Sequence, residues 1–165
     1  MSEQGKTYAA FIESELKAER ERRAALDSRG LALVTTSGSL TTLLAAIGAF
    51  VTGRAGFQLP SASIWPLLLT LITLAAAAGC GLLASHNRPY RVADRGTLSA
   101  MTGARWSTHE VDARNAVASI NAETVLTLRR GNNDKAYLLV AGLTSQLVGL
   151  LALGVAVGII LWNAT

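Results

Sequence analysis

Three stretches of this chain, residues 31–52, 64–85 and 136–162, each run for 22 or more positions without a charged side chain. At 1.5 Å rise per residue, about 20 apolar residues cross a hydrocarbon core roughly 30 Å thick. In lipid, a helix is the open segment that satisfies its own backbone. The sequence therefore predicts an all-α integral membrane protein with three transmembrane helices, a cytoplasmic helical N-terminal segment and a helical cytoplasmic loop. Only 16% of the residues are charged, against about 25% in an average soluble chain, and most of these lie outside the three runs. The expected division is a cytoplasmic charged helix at 1–30, spans at 31–52, 64–85 and 136–162, an outer loop at 53–63, a cytoplasmic helical segment at 86–135 and an outer tail at 163–165.

Orientation follows from Lys and Arg alone, because acidic residues contribute little to the positive-inside rule. Six basic residues precede the first run and eight lie between the second and third, whereas the first connection carries only Arg54. The N-terminus and the long loop are expected in the cytoplasm and the C-terminus outside. The first run follows a 30-residue charged segment and ends at Thr52-Gly53-Arg54 without an A-x-A site, so it is expected to remain as a membrane helix. A net charge of +4 is accounted for by orientation and anionic headgroups. No nucleic-acid-binding motif is present, so no nucleic acid polymer is expected as a partner.

Residues 7–29 contain no Pro or Gly and string opposite charges at helical spacing, as in Glu13 with Lys17 and Glu19 with Arg23. Tyr8, Phe11, Ile12 and Leu16 fall near one face, to lie on the bilayer or to cover the protein's own core. With only Gly30 between Arg23 and Leu31 to interrupt it, this helix is expected to run on into the first span, with Arg29 reaching the headgroups. In the long connection, Pro89 is expected to end the second helix. A short helix is expected over 97–104, and Ser107-Thr108-His109-Glu110 has the S-x-x-E form of a capping box, which predicts a helix start. Arg129 to Lys135 reads either as a turn or as a break within one long helix.

Inside the runs, Gly154 and Gly158 form a G-x-x-x-G that allows close helix packing, within one subunit or between subunits. Thr35, Thr36, Ser37, Ser39, Thr41 and Thr42 crowd one half of the first span, with Thr144, Ser145 and Gln146 at similar depth in the third. These side chains are expected either to bond across helices and fix register or to line a pore between subunits. Ser39, Gln146, Gly154 and Gly158 are the packing candidates. No ionisable group lies in any run, which disfavours a proton relay or ion transporter.

Nothing in the chain points to catalysis. His86 and His109 stand 23 residues apart outside any H-E-x-x-H, and the adjacent or i+2 positions of His109, Glu110 and Asp112 do not face one another on a helix. Phosphate-cradling glycine loops and nucleophile elbows are absent. The single Cys80 lies within the second run, so it forms neither an intramolecular disulfide nor a cysteine metal site, and it reads as a small packing residue. No catalytic residue, metal or cofactor is expected. The candidate ligand group is Arg88, Tyr90, Arg91, Arg95, Arg105 and Trp106, whose cations hold a phosphate and whose rings stack a base. The competing use of the same side chains is headgroup contact in the interface belt.

The order of these features carries a resemblance: a charged N-terminal helix, Ser28-Arg29-Gly30 at the first span, a short outer loop, a second helix closed by Arg88-Pro89, a helical segment, and Asn132-Asn133-Asp134-Lys135 leading into a last helix rich in small residues. Over about residues 11–162 the chain resembles the Pycsar transmembrane effectors of bacterial anti-phage cyclic-nucleotide signalling. The resemblance implies activation by a cyclic pyrimidine nucleotide made during infection, followed by impairment of the inner membrane. No ligand-contacting residue is carried over by motif. The resulting expectation is a non-enzymatic, homo-oligomeric effector of the bacterial inner membrane. The alternative is an accessory or structural subunit whose cytoplasmic helices dock a larger membrane complex.

Overall fold

The computed structural model describes residues 3–53 and 59–164. Arg54 and the rest of residues 54–58 of the expected outer loop lie outside the described residues. Four helices are present, α1 (Glu3–Thr52), α2 (Ser61–Ser85), α3 (Arg95–Thr102) and α4 (Glu110–Ala164), and no strand occurs among the described residues. Helices α1, α2 and α4 are each long and apolar enough to cross a membrane. The charged N-terminal segment and the first apolar run form one helix, as the scarcity of helix breakers between them predicts. Arg129 to Lys135 likewise lies within α4, with no turn. The chain divides into two compact units, one of Met1–Ala25 with Asn87–Asp134 and one of Leu26–His86 with Lys135–Thr165.

The first unit is polar. Its buried and half-buried positions on α1 recur at alternating spacings of four and three, through Ile12, Leu16, Glu19 and Arg23, and those on α4 do the same through Asn121, Val125, Leu128 and Asn132. Spacing of this kind is the seam of a left-handed helix pair. Leu16, Val125 and Leu128 form its small core. Tyr8 and Phe11 are more than 60% exposed, so only the Ile12–Leu16 side of the expected apolar face is covered.

Asp94 caps α3, its Oδ1 accepting from the Thr97 N–H at 2.7 Å. The helix therefore starts two residues before the expected position. The start of α4 differs from the capping-box expectation. The backbone of 105–108 is used in a turn, with Trp106 N–H donating to the Gly103 carbonyl and Thr108 N–H to that of Arg105. Ser107 is thereby kept out of the cap, and His109 Nδ1 accepts from the Val111 N–H at 3.3 Å instead.

The second unit is apolar and its helices approach closely at glycines. A Cβ on Gly30 would meet the Gly81 carbonyl at 2.9 Å, and one on Gly81 would meet the Gly30 carbonyl at 2.7 Å, so α1 and α2 cross backbone to backbone there. Gly142 makes room for Leu33 and Cys80, and Gly149 for Thr73 and Leu74. Leu26, Leu33, Ala77, Ala84 and Leu139 form the core. Helix α2 ends at Ser85, with His86 as its C-cap, three residues earlier than a stop set by Pro89 alone would give.

The outward surface of this unit is apolar. Leu43, Ile47, Ile72, Leu151 and Leu161 are each at least 60% exposed. A surface with so many exposed large apolar side chains suits a lipid solvent.

Candidate functional site

Within the polar unit, α1 and α4 are joined by a charged network. Glu19, only 6% exposed, accepts from Arg129 Nε through Oε1 and from Asn132 Nδ2 through Oε2, both at 2.8 Å. Asn132 also donates to the Glu19 backbone carbonyl, and Arg129 Nη2 reaches Glu15 at 2.6 Å. Burial pushes the Glu19 carboxyl pKa up, but the hydrogen bonds from Arg129 and Asn132, with the charges of Arg22 and Arg129, outweigh it and hold the group below its ordinary value. A buried Asn in a helix seam fixes which residues face one another, because sliding the helices would strand its amide. Arg129 and Asn132 therefore serve this unit's register, a role the sequence alone did not suggest for either.

The six candidate ligand residues are not gathered into one cluster. Arg88 is paired with Asp134 at 2.7 Å, and Arg91 with Glu123. The Arg91 N–H also donates to Thr127 Oγ1. Tyr90 lies under the Arg23 guanidinium, 4.8 Å from carbon to ring centroid. Arg23 in turn donates to the Asn87 side chain and to the Arg88 carbonyl. These groups pin residues 87–91 onto the parts of α1 and α4 in the same unit. Arg95 opens α3 and is exposed.

Arg105 and Trp106 stand apart from that set. Both line a cavity of about 530 Å³ together with Met101, Thr108, Asp112 and Val117, which neither Arg88, Tyr90, Arg91 nor Arg95 borders. Its volume falls in the range of about 300–1,000 Å³ usual for small-molecule sites. Trp106 is 78% exposed, and the Gly103 to Thr108 turn presents it beside Arg105 at the cavity. A cation, an indole face and a carboxylate thus border one apolar-walled space, a set able to hold an anionic ring-bearing molecule. Asp112 was legible in the sequence only as an unpromising neighbour of His109. The turn after α3 is what brings its wall to the aromatic side chain.

A second feature escaped the sequence reading. Arg114 Nε and Nη1 are buried without a hydrogen-bond partner among the described residues, and a Cβ on Gly5 would come to 2.5 Å from Nη2. His86 and His109 act at helix ends, and no group of three His, Cys, Asp or Glu side chains gathers among the described residues.

In the apolar unit the polar side chains mostly turn inward on their own helix. Thr35, Thr36, Thr41 and Thr42 donate to carbonyls four residues earlier, at 2.9–3.0 Å. Such back-bonding satisfies a hydroxyl without a partner helix, so the Thr/Ser cluster of α1 makes few of the expected cross-helix bonds. Gln146 does bond across, donating to Thr36 Oγ1 at 3.2 Å, and Thr70 and Ser145 join α2 to α4 through the Gly149 and Thr73 carbonyls. Ser39 is exposed and makes none of these bonds. Gly154 and Gly158 pack against nothing, since a Cβ on either would meet no atom within 4 Å among the described residues. The close approaches are made by Gly30, Gly81, Gly142 and Gly149 instead. No family model, curated protein or solved structure matches the chain.

Proposed function

We propose that this chain is a non-enzymatic effector of the bacterial inner membrane, in which the polar unit binds a cytoplasmic signal and the three apolar helices impair the bilayer. The observation that carries the reading is the Arg105–Trp106–Asp112 cavity, held in a polar unit of a chain with three helices long enough to span. The signal is a cyclic pyrimidine nucleotide, with its phosphate on Arg105, its base stacked on Trp106 and its exocyclic amine or imide facing Asp112. The distribution of Lys and Arg supports a cytoplasmic N-terminus and an outer C-terminus. Gly154 and Gly158 support self-association, because their exposed face between Leu151 and Leu161 admits a second helix at close range. Ligand shifts the assembly only to the extent that it binds the membrane-impairing state more tightly than the resting one.

The test is dye uptake by cells expressing the protein with and without a co-expressed pyrimidine cyclase. Cyclase-dependent uptake that is lost in Arg105→Ala and Trp106→Ala, at equal membrane abundance, is the expected result. Absence of uptake under either condition, with the wild-type protein in the membrane, would replace this reading with that of an accessory subunit docking a larger complex.

A further inference from the structure

The apolar unit contains a groove of about 480 Å³ between α1 and α4. Its floor is formed by the buried Leu26, Leu33 and Leu139, and its far end is closed by the Thr36–Gln146 hydrogen bond. Leu26 to Thr36 spans ten helical rises, about 15 Å, which is half of a hydrocarbon core roughly 30 Å thick. The groove is therefore as long as one leaflet is deep. Arg29 borders it within a turn of its Leu26 end.

The charge around this end is specific. The charged side chains of the unit among the described residues are Asp27, Arg29 and Lys135. Lys135 is 1% exposed and is neutralised by Asp27. Arg29 is exposed and makes no ion pair or hydrogen bond among the described residues. One uncompensated guanidinium is left at the polar end of a leaflet-long apolar slot, with both termini of the slot otherwise satisfied.

We propose that this groove binds one anionic glycerophospholipid of the cytoplasmic leaflet, with an acyl chain on Leu26, Leu33 and Leu139 and the headgroup phosphate on Arg29. The planar fork of Arg29 pairs with phosphate oxygens, and its unbalanced charge selects a headgroup that keeps a net negative charge over a zwitterionic one. The site rests on the helices lying in a bilayer and is independent of whether a nucleotide binds the polar unit.

The full chain is reconstituted in nanodiscs of phosphatidylcholine with one-fifth phosphatidylglycerol, released into mild detergent and weighed with its retained lipids by native mass spectrometry. One phosphatidylglycerol per chain, enriched over its share of the disc, is expected. Arg29→Gln lowers that enrichment about fivefold, the factor set by a single basic residue at an anionic surface, whereas Arg29→Lys keeps most of it. Ala32→Trp, which fills the groove wall, removes retained lipid of both kinds. Equal retention of the two lipids by the wild type, or an enrichment unchanged in Arg29→Gln, overturns the proposal. A disulfide between copies carrying Ala32→Cys, formed through the groove, also overturns it by giving the groove to a second chain. Failure to enter nanodiscs at all is the separate result that would reject the membrane reading itself.

Discussion

Replacing Glu19 tests whether the charged seam, more than the small leucine core, holds the polar unit together. Glu19→Ala removes the acceptors of Arg129 Nε and of one Asn132 proton, each a charge-assisted bond at 2.8 Å. Asn132 keeps the Glu19 backbone carbonyl and Arg129 keeps Glu15, so neither partner is fully stranded. Hydrogen bonds to charged groups contribute about 1.5–3 kcal/mol each, and because Arg129 is 46% exposed its share is discounted for solvent screening. The expected loss is about 2–4 kcal/mol. Hydrogen exchange of the wild type and variant in nanodiscs reads it directly, as a rise of about 30- to 900-fold in the amide opening of residues 12–23 and 121–132.

Glu19→Gln keeps one acceptor and falls between the two. Acidity gives an independent readout. A carboxyl held below its ordinary value of 4.5 stabilises the fold above that pH, and the contribution is lost as pH falls through the lower folded-state value. Wild-type protection therefore drops toward that of Glu19→Gln below about pH 4.5, while the variant's own profile lacks this component. A change of less than about threefold on Glu19→Ala would refute the reasoning and leave the leucines as the unit's main support.

Three further outcomes are expected. Gly81→Val lowers thermal stability in detergent, by about 1–3 kcal/mol of overpacking against the Gly30 carbonyl and Val34, whereas Gly154→Val leaves the melting temperature of the monomer unchanged because its Cβ meets no atom of the described residues within 4 Å. Asp27→Asn strands the buried Lys135 ammonium and costs about 3 kcal/mol, while Asp27→Asn combined with Lys135→Met recovers most of the loss, measured by unfolding in mixed micelles. Arg91→Ala costs less than about 1 kcal/mol and leaves cyclase-dependent dye uptake intact, since the Arg91–Glu123 pair is exposed and borders no part of the Trp106 cavity.

The three helices long and apolar enough to cross a membrane were legible because they rest on long uncharged runs, and lipid demands that helices satisfy their own backbones. The polar unit's seam of α1 and α4 was written in the sequence as well, at alternating spacings of three and four, but its members include Glu19, Arg23 and Asn132. A search for apolar periodicity passes over such residues, although each is buried or half-buried once the two helices pair. The ligand group shows the opposite limit. Arginines close in sequence were read together, yet carboxylates from distant positions, Glu123 and Asp134, claim two of them. Only Arg105 and Trp106, adjacent in the chain and held on one turn, remain side by side at a cavity. The Ser107 capping box failed for a local reason, because the turn after α3 uses the backbone on both sides of it. G-x-x-x-G spacing identifies glycines able to admit a helix, but the glycines that do so here are Gly30, Gly81, Gly142 and Gly149.

A liposome experiment isolates the proposed step, in which a nucleotide bound at the Arg105–Trp106 cavity drives membrane impairment. Purified protein is reconstituted into vesicles loaded with a self-quenching dye, and cyclic CMP or cyclic UMP is added on the side where the N-terminus is accessible to protease. Dye release that depends on the cyclic pyrimidine nucleotide, is absent with the linear monophosphate and is abolished by Trp106→Ala is the predicted result. Release that is the same with and without nucleotide, or no release from vesicles shown to contain the inserted protein, contradicts the claim.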